Sequence, residues 1–290
     1  MSWQRARRLD GPDLVARVSA ATGVPLSYRG RCPGGEVGAA YVCWPDGRPG
    51  VLTWQPGSLL GRQRAIAELL ALARSRGVPA PAYRLVVPLT VGGEPAVAVV
   101  QERLPGAPPD RFDEALIGAM LAAHERFAGL LADRSDVPPA ALYLTGDGPG
   151  FCLHGPLAGH DRRSARLLSW IEAVGAVSTP TMAGDDLVHL DFHPGNVLVD
   201  GSGALTGIVD WDGAARGDHR FDLVTLRFAV PPDRPALAAR LDAELAARLT
   251  ADELRPYWAS MALRQVDWAI RHHDARTVQR WLTLAETRVD

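Results

Sequence analysis

The most constraining feature of this 290-residue chain is a polar stretch set on a short apolar frame, residues 187–212. Residues 187–200 read Leu-Val-His-Leu-Asp-Phe-His-Pro-Gly-Asn-Val-Leu-Val-Asp, followed by the turn Asp200-Gly201-Ser202-Gly203. An apolar return strand over residues 204–209 then ends in Asp210-Trp211-Asp212. Two apolar runs around a glycine-rich turn predict a hairpin. Pro194-Gly195 frees the backbone just before Asn196. His189, Asp191 and Asn196 stand at the spacing H-x-D-x-x-x-x-N, and Asp210 follows at the end of the next strand. Asn196 is the only asparagine in the chain, and lysine is absent, so all 31 basic residues are arginine. A GC-rich coding bias explains both scarcities. Such a bias removes asparagine wherever another residue serves, which makes the survivor notable.

The chemistry that needs this spacing is phosphoryl transfer. One aspartate accepts or orients the proton of an attacking hydroxyl. An asparagine five residues on offers a neutral oxygen to Mg²⁺, and a further aspartate across the hairpin offers a charged one.

The rest of the chain predicts two lobes, residues 1–103 and 104–290. Length alone is enough for two domains. In the first third, residues 36–44 and 50–55 read as strands around the Pro45-Asp46-Gly47 turn. Residues 83–91 and 96–102 read as a hairpin around Gly92-Gly93. The one helix predicted there carries Ile66, Leu69, Leu70 and Ala73, with Ser58 as its cap and a stop at Gly77 and Pro79. After residues 105–110 the pattern turns helical. Asp110 is a candidate cap for a stripe of Leu116, Met120, Ala123, Phe127 and Leu130. Residues 161–174 read as another helix, and Thr250 with Glu253 form a capping-box pattern before a third, with Pro256 inside it. The expected class is α+β, a small antiparallel lobe followed by a mainly helical one.

Composition excludes other classes. A net charge of −2 gives no basic field for nucleic acid. Apolar runs stay far below the roughly 18 residues of a membrane helix. Arg5, Arg7 and Arg8 precede no apolar segment of a secretory signal. Cys32, Cys43 and Cys152 form no CxxC pair or disulfide framework. These features predict a cytoplasmic protein with reduced thiols. The expected partner is a small molecule, and the sequence does not decide between monomer and homodimer.

Residues 187–200 together with 208–223, which include Gly217-Asp218-His219-Arg220-Phe221-Asp222, resemble the catalytic and metal-binding segments of the aminoglycoside phosphotransferase and choline kinase family. These are small-molecule kinases with a protein-kinase-like fold. The resemblance covers about residues 25–230 and is specific only over 187–222. It implies Asp191 as catalytic base, His189 as organiser of the catalytic loop, and Asn196 and Asp210 as Mg²⁺ ligands. It also implies Asp222 as the buried carboxylate that ties the loop backbone together. Leu190 stands where the family usually has glycine. Gly34 and Gly35 sit where the nucleotide loop runs. Residues 98–104 sit at the inter-lobe hinge, which makes Gln101 and Glu102 nucleotide-binding candidates. ATP or GTP is the implied phosphoryl donor.

The pattern breaks on the third strand. Thr53 stands where the family places a lysine that holds the nucleotide phosphates and pairs with a glutamate on the next helix. Glu68 is the expected partner, with Arg31, Arg62 and Arg64 as possible substitute cations. Arginine is a larger, planar fork and does not simply replace lysine. Three readings follow: a working kinase that holds phosphate by other means, a pseudokinase that binds a small molecule, or a misaligned strand. His189, Asp191 and His193 alternate, so a strand would also put them on one face as a metal cluster of a hydrolase, a reading that leaves Asn196 and Asp210 without a role. His193 itself is either an exposed loop residue or a substrate contact. Asp212 is either a third carboxylate near the metal or a charge facing the acceptor. Asp267, Asp274, Trp258, Trp268 and Trp281 fall on the C-terminal helices, where the family builds its acceptor pocket; Asp267 and Trp268 are the acceptor contacts expected here. Acidic groups beside Asp191 predict a cationic acceptor. An aminoglycoside or a capreomycin- or viomycin-type peptide antibiotic is the first expectation, with resistance as the outcome. Choline, homoserine or a sugar is the alternative.

Overall fold

The computed structural model of the chain describes residues 10–32 and 39–289. Gly34 and Gly35, expected to touch phosphate, lie outside the described residues. Strands β1 (Ser27–Cys32), β2 (Ala39–Cys43), β3 (Pro49–Pro56), β4 (Tyr83–Val91) and β5 (Glu94–Glu102) form one antiparallel sheet in the order β1-β2-β3-β5-β4. Gly92 and Gly93 turn the β4–β5 hairpin at φ +60° and +87°, a region that L side chains resist.

Side chains alternate across β3. Leu52 and Trp54 face helix α1 (Gly11–Thr22), which packs Leu14, Val15 and Val18 against Val42, Ala98 and Val100. This helix corrects the expectation of a single helix in the first third. Its signals are Pro12 in the first turn, the apolar triplet 14, 15 and 18, and Gly23 at φ +70°. Thr53 and Gln55 turn to the opposite face, across from Val99 and Val97.

Helix α2 (Leu60–Ser75) buries Ile66, Leu69, Leu70 and Ala73 at the predicted spacing. All four join the core of the second lobe, so α2 is anchored there although its strand neighbours belong to the first. Ser58 does not cap it: the residue falls in a 3-10 turn, Gly57–Leu59, and Leu59 takes the cap position without a side-chain bond.

The second lobe contains α3 (Glu114–His124), α4 (His154–His160), α5 (Arg162–Val177), α6 (Phe221–Phe228), α7 (Pro235–Arg248), α8 (Ala251–His272) and α9 (Ala275–Ala285). Asp113, not Asp110, caps α3, accepting from the Leu116 N–H at 3.0 Å. The Asp161–Ser164 and Thr250–Glu253 capping boxes start α5 and α8, and α8 continues through Pro256. Among the described residues no helix is long and apolar enough to cross a membrane.

The polar stretch is not one long hairpin. Strand β6 (Asp186–Val188) pairs with β9 (Ala215–Gly217), and β7 (Val197–Val199) pairs with β8 (Leu205–Ile208). Residues 189–196 form a loop between the two ribbons, closed by a 3-10 turn, Pro194–Asn196. Leu190 at φ +67° breaks the extended chain, and a carboxylate captures the N–H groups a ladder would use.

Candidate active site

Asp222 builds the loop. It sits fully buried in the first turn of α6, where its Oδ2 accepts from the His189 N–H at 2.8 Å and its Oδ1 from the Leu190 N–H at 2.9 Å. A leucine in the left-handed region costs about 1–2 kcal/mol. Two hydrogen bonds to a carboxylate contribute about 1.5–3 kcal/mol each, which is enough to hold it. Burial pushes the Asp222 carboxyl up to about 7, against those two bonds. His124 on α3 stands 3.8 Å from it, and burial pulls that imidazole down to about 3.

His189 is fully buried. Its Nε2 donates to the Val209 carbonyl at 2.9 Å, and its Nδ1 accepts from the Asp191 N–H at 3.3 Å. Burial lowers its pKa to about 4, so the ring stays neutral. It braces the loop and has no nitrogen free for a metal or for proton transfer. The alternating face that a strand would have made from His189, Asp191 and His193 is therefore absent.

Asp191 opens to the cleft. Its Oδ1 accepts from Arg264 Nη2 at 3.0 Å and its Oδ2 from Asn196 Nδ2 at 3.0 Å, with His193 Nε2 3.5 Å away. Burial works to raise this carboxyl; the hydrogen bond from His193 and the Arg264 charge outweigh it and hold the group well below the usual carboxylate range. Asn196, buried, also donates to the Asp191 backbone carbonyl at 2.9 Å. Both amide bonds use its nitrogen, and among the described residues no donor meets its Oδ1. Asp210 follows β8 at φ +65°, and no hydrogen bond reaches its carboxylate among the described residues. Surrounding protein pushes its pKa up to about 6, reinforced by the charges of Asp212 and Asp191. Two oxygen donors beside Asp191 are thus unengaged.

The wall supplied by the first lobe differs from the expectation. Thr53 stands mid-strand with no lysine in reach. Glu68 lies on the outer face of α2, 69% exposed, beside Arg134 at 3.4 Å. It does not face Thr53. The inward position on α2 belongs to Gln63, 1% exposed, whose Nε2 donates to Asp212 Oδ1 at 3.1 Å. Gln55, on the Thr53 face of β3, donates to Asp212 Oδ2. Arg62 donates twice to the Asp212 backbone carbonyl, at 2.9 and 2.7 Å. Asp212 is therefore a tether between lobes, not a free charge facing an acceptor. The Gln63 Oε1 is buried without a partner. At the hinge, Gln101 pairs with Val51 and Tyr83. The Glu102 side chain points away from the cleft to Arg74, at 2.7 Å.

The expected acceptor residues are also placed otherwise. Asp267 is fully buried, paired with Arg271 at 2.6 and 2.8 Å and accepting from the Leu153 N–H. Asp274 caps α9. Trp258 is fully buried, and Trp281 stacks on Phe228 in the core. Trp268 is half-buried on the α8 face that carries Arg264, its ring centroid 4.0 Å from that of His272 and tilted to it by 38°. Arg264, Gln55 and Gln63 are the contacts sequence reasoning missed; no local spacing marks them. One further acidic group, Asp186, Asp218 and His219, converges elsewhere. Its oxygens are engaged by Gly129, His219, Arg220 and Tyr257, so it serves structure.

Solved structures place this architecture. A thermostable mutant of aminoglycoside phosphotransferase APH(4)-Ia, in complex with ADP and hygromycin B, aligns at TM-score 0.66 with 18% identity over 96% of this chain and 98% of that one. Macrolide 2'-phosphotransferase MphH from Brachybacterium faecium aligns at 0.55 with 19% identity over 96% and 98%. A GDP and kanamycin complex of an APH(2") enzyme aligns at 0.57 with 15% identity over 95% and 98%. No curated protein sequence matches significantly. The model of one family, described as the phosphotransferase enzyme family, matches residues 31–264 and so spans both lobes and the catalytic loop. The chain is a member of that family, an enzyme that transfers phosphoryl groups.

Proposed function

We propose that this enzyme transfers the γ-phosphoryl group of ATP or GTP to a hydroxyl of a small molecule, with Asp191 orienting that hydroxyl. The observation that carries the reading is the pinned Asp191 carboxylate beside two unengaged oxygen donors, Asn196 Oδ1 and Asp210. A neutral amide oxygen and a carboxylate without a hydrogen-bond donor fit Mg²⁺, which prefers hard oxygen ligands. Asn196 and Asp210 would hold the ion, which when bound would neutralise charge on the nucleotide phosphates.

Asp191 acts chiefly by position. A carboxylate held so far below the usual range is a weak base at neutral pH. It accepts a hydrogen bond from the hydroxyl and takes the proton late, which suits a loose transition state. Direct in-line transfer is the expected course, because among the described residues no activated nucleophile stands by: burial pushes the Cys152 thiol up to about 12. His189 and Asp222 position the loop.

The acceptor is a hydroxyl compound of the antibiotic kind, with resistance as the biological outcome. Of the acidic residues expected to favour a cationic acceptor, Asp267 is paired with Arg271 and Asp274 caps α9, which leaves Asp210 and Asp212 as the acidic groups near Asp191 that support that reading. A binding-only reading draws on the missing lysine and the outward Glu68.

The test is product mass after incubation with Mg²⁺ and ATP or GTP. The acceptor panel holds aminoglycosides, hygromycin B, macrolides, capreomycin-type peptides, choline, homoserine and sugars. A phosphorylated product should appear and fall about 10³-fold in Asp191→Asn, which loses the carboxylate that orients the hydroxyl and takes its proton late. Near-normal turnover in that variant sinks the assignment. No product and no nucleotide binding would favour the binding module.

A further inference from the structure

Arg264 lies 73 residues beyond Asp191 in the chain, yet α8 brings its guanidinium onto the catalytic loop. Nη2 donates to Asp191 Oδ1 at 3.0 Å, and Nη1 donates to the Leu190 backbone carbonyl. One planar group therefore grips both the carboxylate and the peptide of the left-handed residue before it. Asn196 holds the other carboxylate oxygen from within the loop. The carboxylate is fixed from two directions, and only one of them is local. The same guanidinium lies over the Phe151 ring at 5.8 Å, and Phe151 meets Tyr143 edge-on at 5.7 Å. Tyr143 and Cys152 both have left-handed backbone, φ 55°. Among the described residues they share that conformation, outside glycine, only with Leu190 and Asp210. Such strain collects at functional sites.

We propose that Arg264 is a positioning residue for phosphoryl transfer, aiming the Asp191 carboxylate and coupling that aim to the Tyr143–Phe151 wall. The inference rests on the reading that Asp191 orients the acceptor. Arginine does not give up its proton in proteins, so it positions and does not shuttle protons. A lysine carries one compact charge and cannot grip two oxygens with a fixed fork.

The experiment uses the full chain with Mg²⁺ and ATP or GTP. Phosphoryl transfer to water is followed beside transfer to the acceptor found in the panel. Arg264→Ala should lower kcat about 10²-fold, the scale of a small misplacement of a reacting group. Nucleotide KM should stay within about threefold, because the lost contact acts on the reacting end. Added guanidinium at millimolar concentration should restore about tenfold in Arg264→Ala and nothing in Asp191→Asn, since it refills only the missing fork. Arg264→Lys should recover part of the loss. A kcat within about threefold of wild type overturns the proposal. So does a loss without rescue, accompanied by a lower melting temperature and a raised nucleotide KM, which is a merely structural role. If Asp191→Asn turns over normally, the functional reading has failed. If Asp191→Asn is inactive while Arg264→Ala is not, only the positioning role has failed.

Discussion

The two walls of the cleft follow different rules. On the catalytic-loop side, the residues at motif spacing meet as their chemistry requires. Asp191 and Asn196 are five apart and bonded, and one carboxylate, Asp222, closes the turn through two adjacent N–H groups. On the strand side the expected residues do not meet. Glu68 faces solvent, while Gln55 and Gln63 reach Asp212 across 157 and 149 residues. The loop's geometry is closed by one local bond, Asn196 to Asp191, and by Asp222, which accepts two adjacent N–H groups from 33 and 32 residues away. The contact between lobes spans independent elements, and any pair of donors reaching Asp212 can make it. The loop bonds are therefore complete in a chain with no lysine on β3, while the lobes meet through Gln55, Gln63 and Asp212.

The largest effect on stability should come from breaking the loop closure. Asp222→Asn offers one acceptor where two N–H groups need two, and should destabilise by about 2–4 kcal/mol. Chemical denaturation checks this; a loss below about 1 kcal/mol would mean the loop is held by its ribbons instead.

A pH series sharpens the same side. His124 is held neutral, at about 3 in the folded protein against an ordinary value of 6.5. Below 6.5 the unfolded chain binds a proton that the folded one refuses. Its contribution is therefore fully present above pH 6.5 and is lost as pH falls toward 3. At pH 5 the loss is roughly 2 kcal/mol. His124→Gln should show a flatter decline in stability between pH 6.5 and 4, whatever its absolute stability. Parallel curves would contradict the assignment.

The smallest expected effect is on the strand side, and it separates the tether from the expected pair. Gln63→Leu removes one bond to Asp212 and also an orphaned buried oxygen, so stability should change by less than about 1 kcal/mol. Nucleotide KM should rise about fivefold as the lobes lose a contact. Glu68→Ala should change neither. The reverse pattern would restore Glu68 to the site.

Legibility follows the range of the interactions. The Asp191–Asn196 spacing, the α8 capping box and the α2 stripe are local, and each reads from consecutive residues. The α3 cap is three residues from its expected place, because several acidic residues there satisfy the same rule. Helix α1 carries its own local signals, Pro12 in the first turn and Gly23 at the end, on a short apolar triplet that the strand-rich surroundings obscure. Leu190 shows why a departure need not be a defect: Asp222 and Arg264 hold a leucine where glycine would be cheaper. Arg264 itself was illegible. One arginine among 31 becomes special only when α8 docks beside the loop. The place of Asp267 is hidden from the sequence for the same reason, since only the folded helix buries it against Arg271.

The catalytic-loop side is expected to hold the reactive end of the nucleotide without a strand lysine. The most direct measurement is titration of ATP and GTP with and without Mg²⁺, in the wild type and in Asp210→Asn. Mg²⁺ should tighten nucleotide binding by about tenfold or more in the wild type, and that gain should vanish in the variant. Binding that ignores Mg²⁺, or that keeps its full Mg²⁺ gain in Asp210→Asn, would contradict the account.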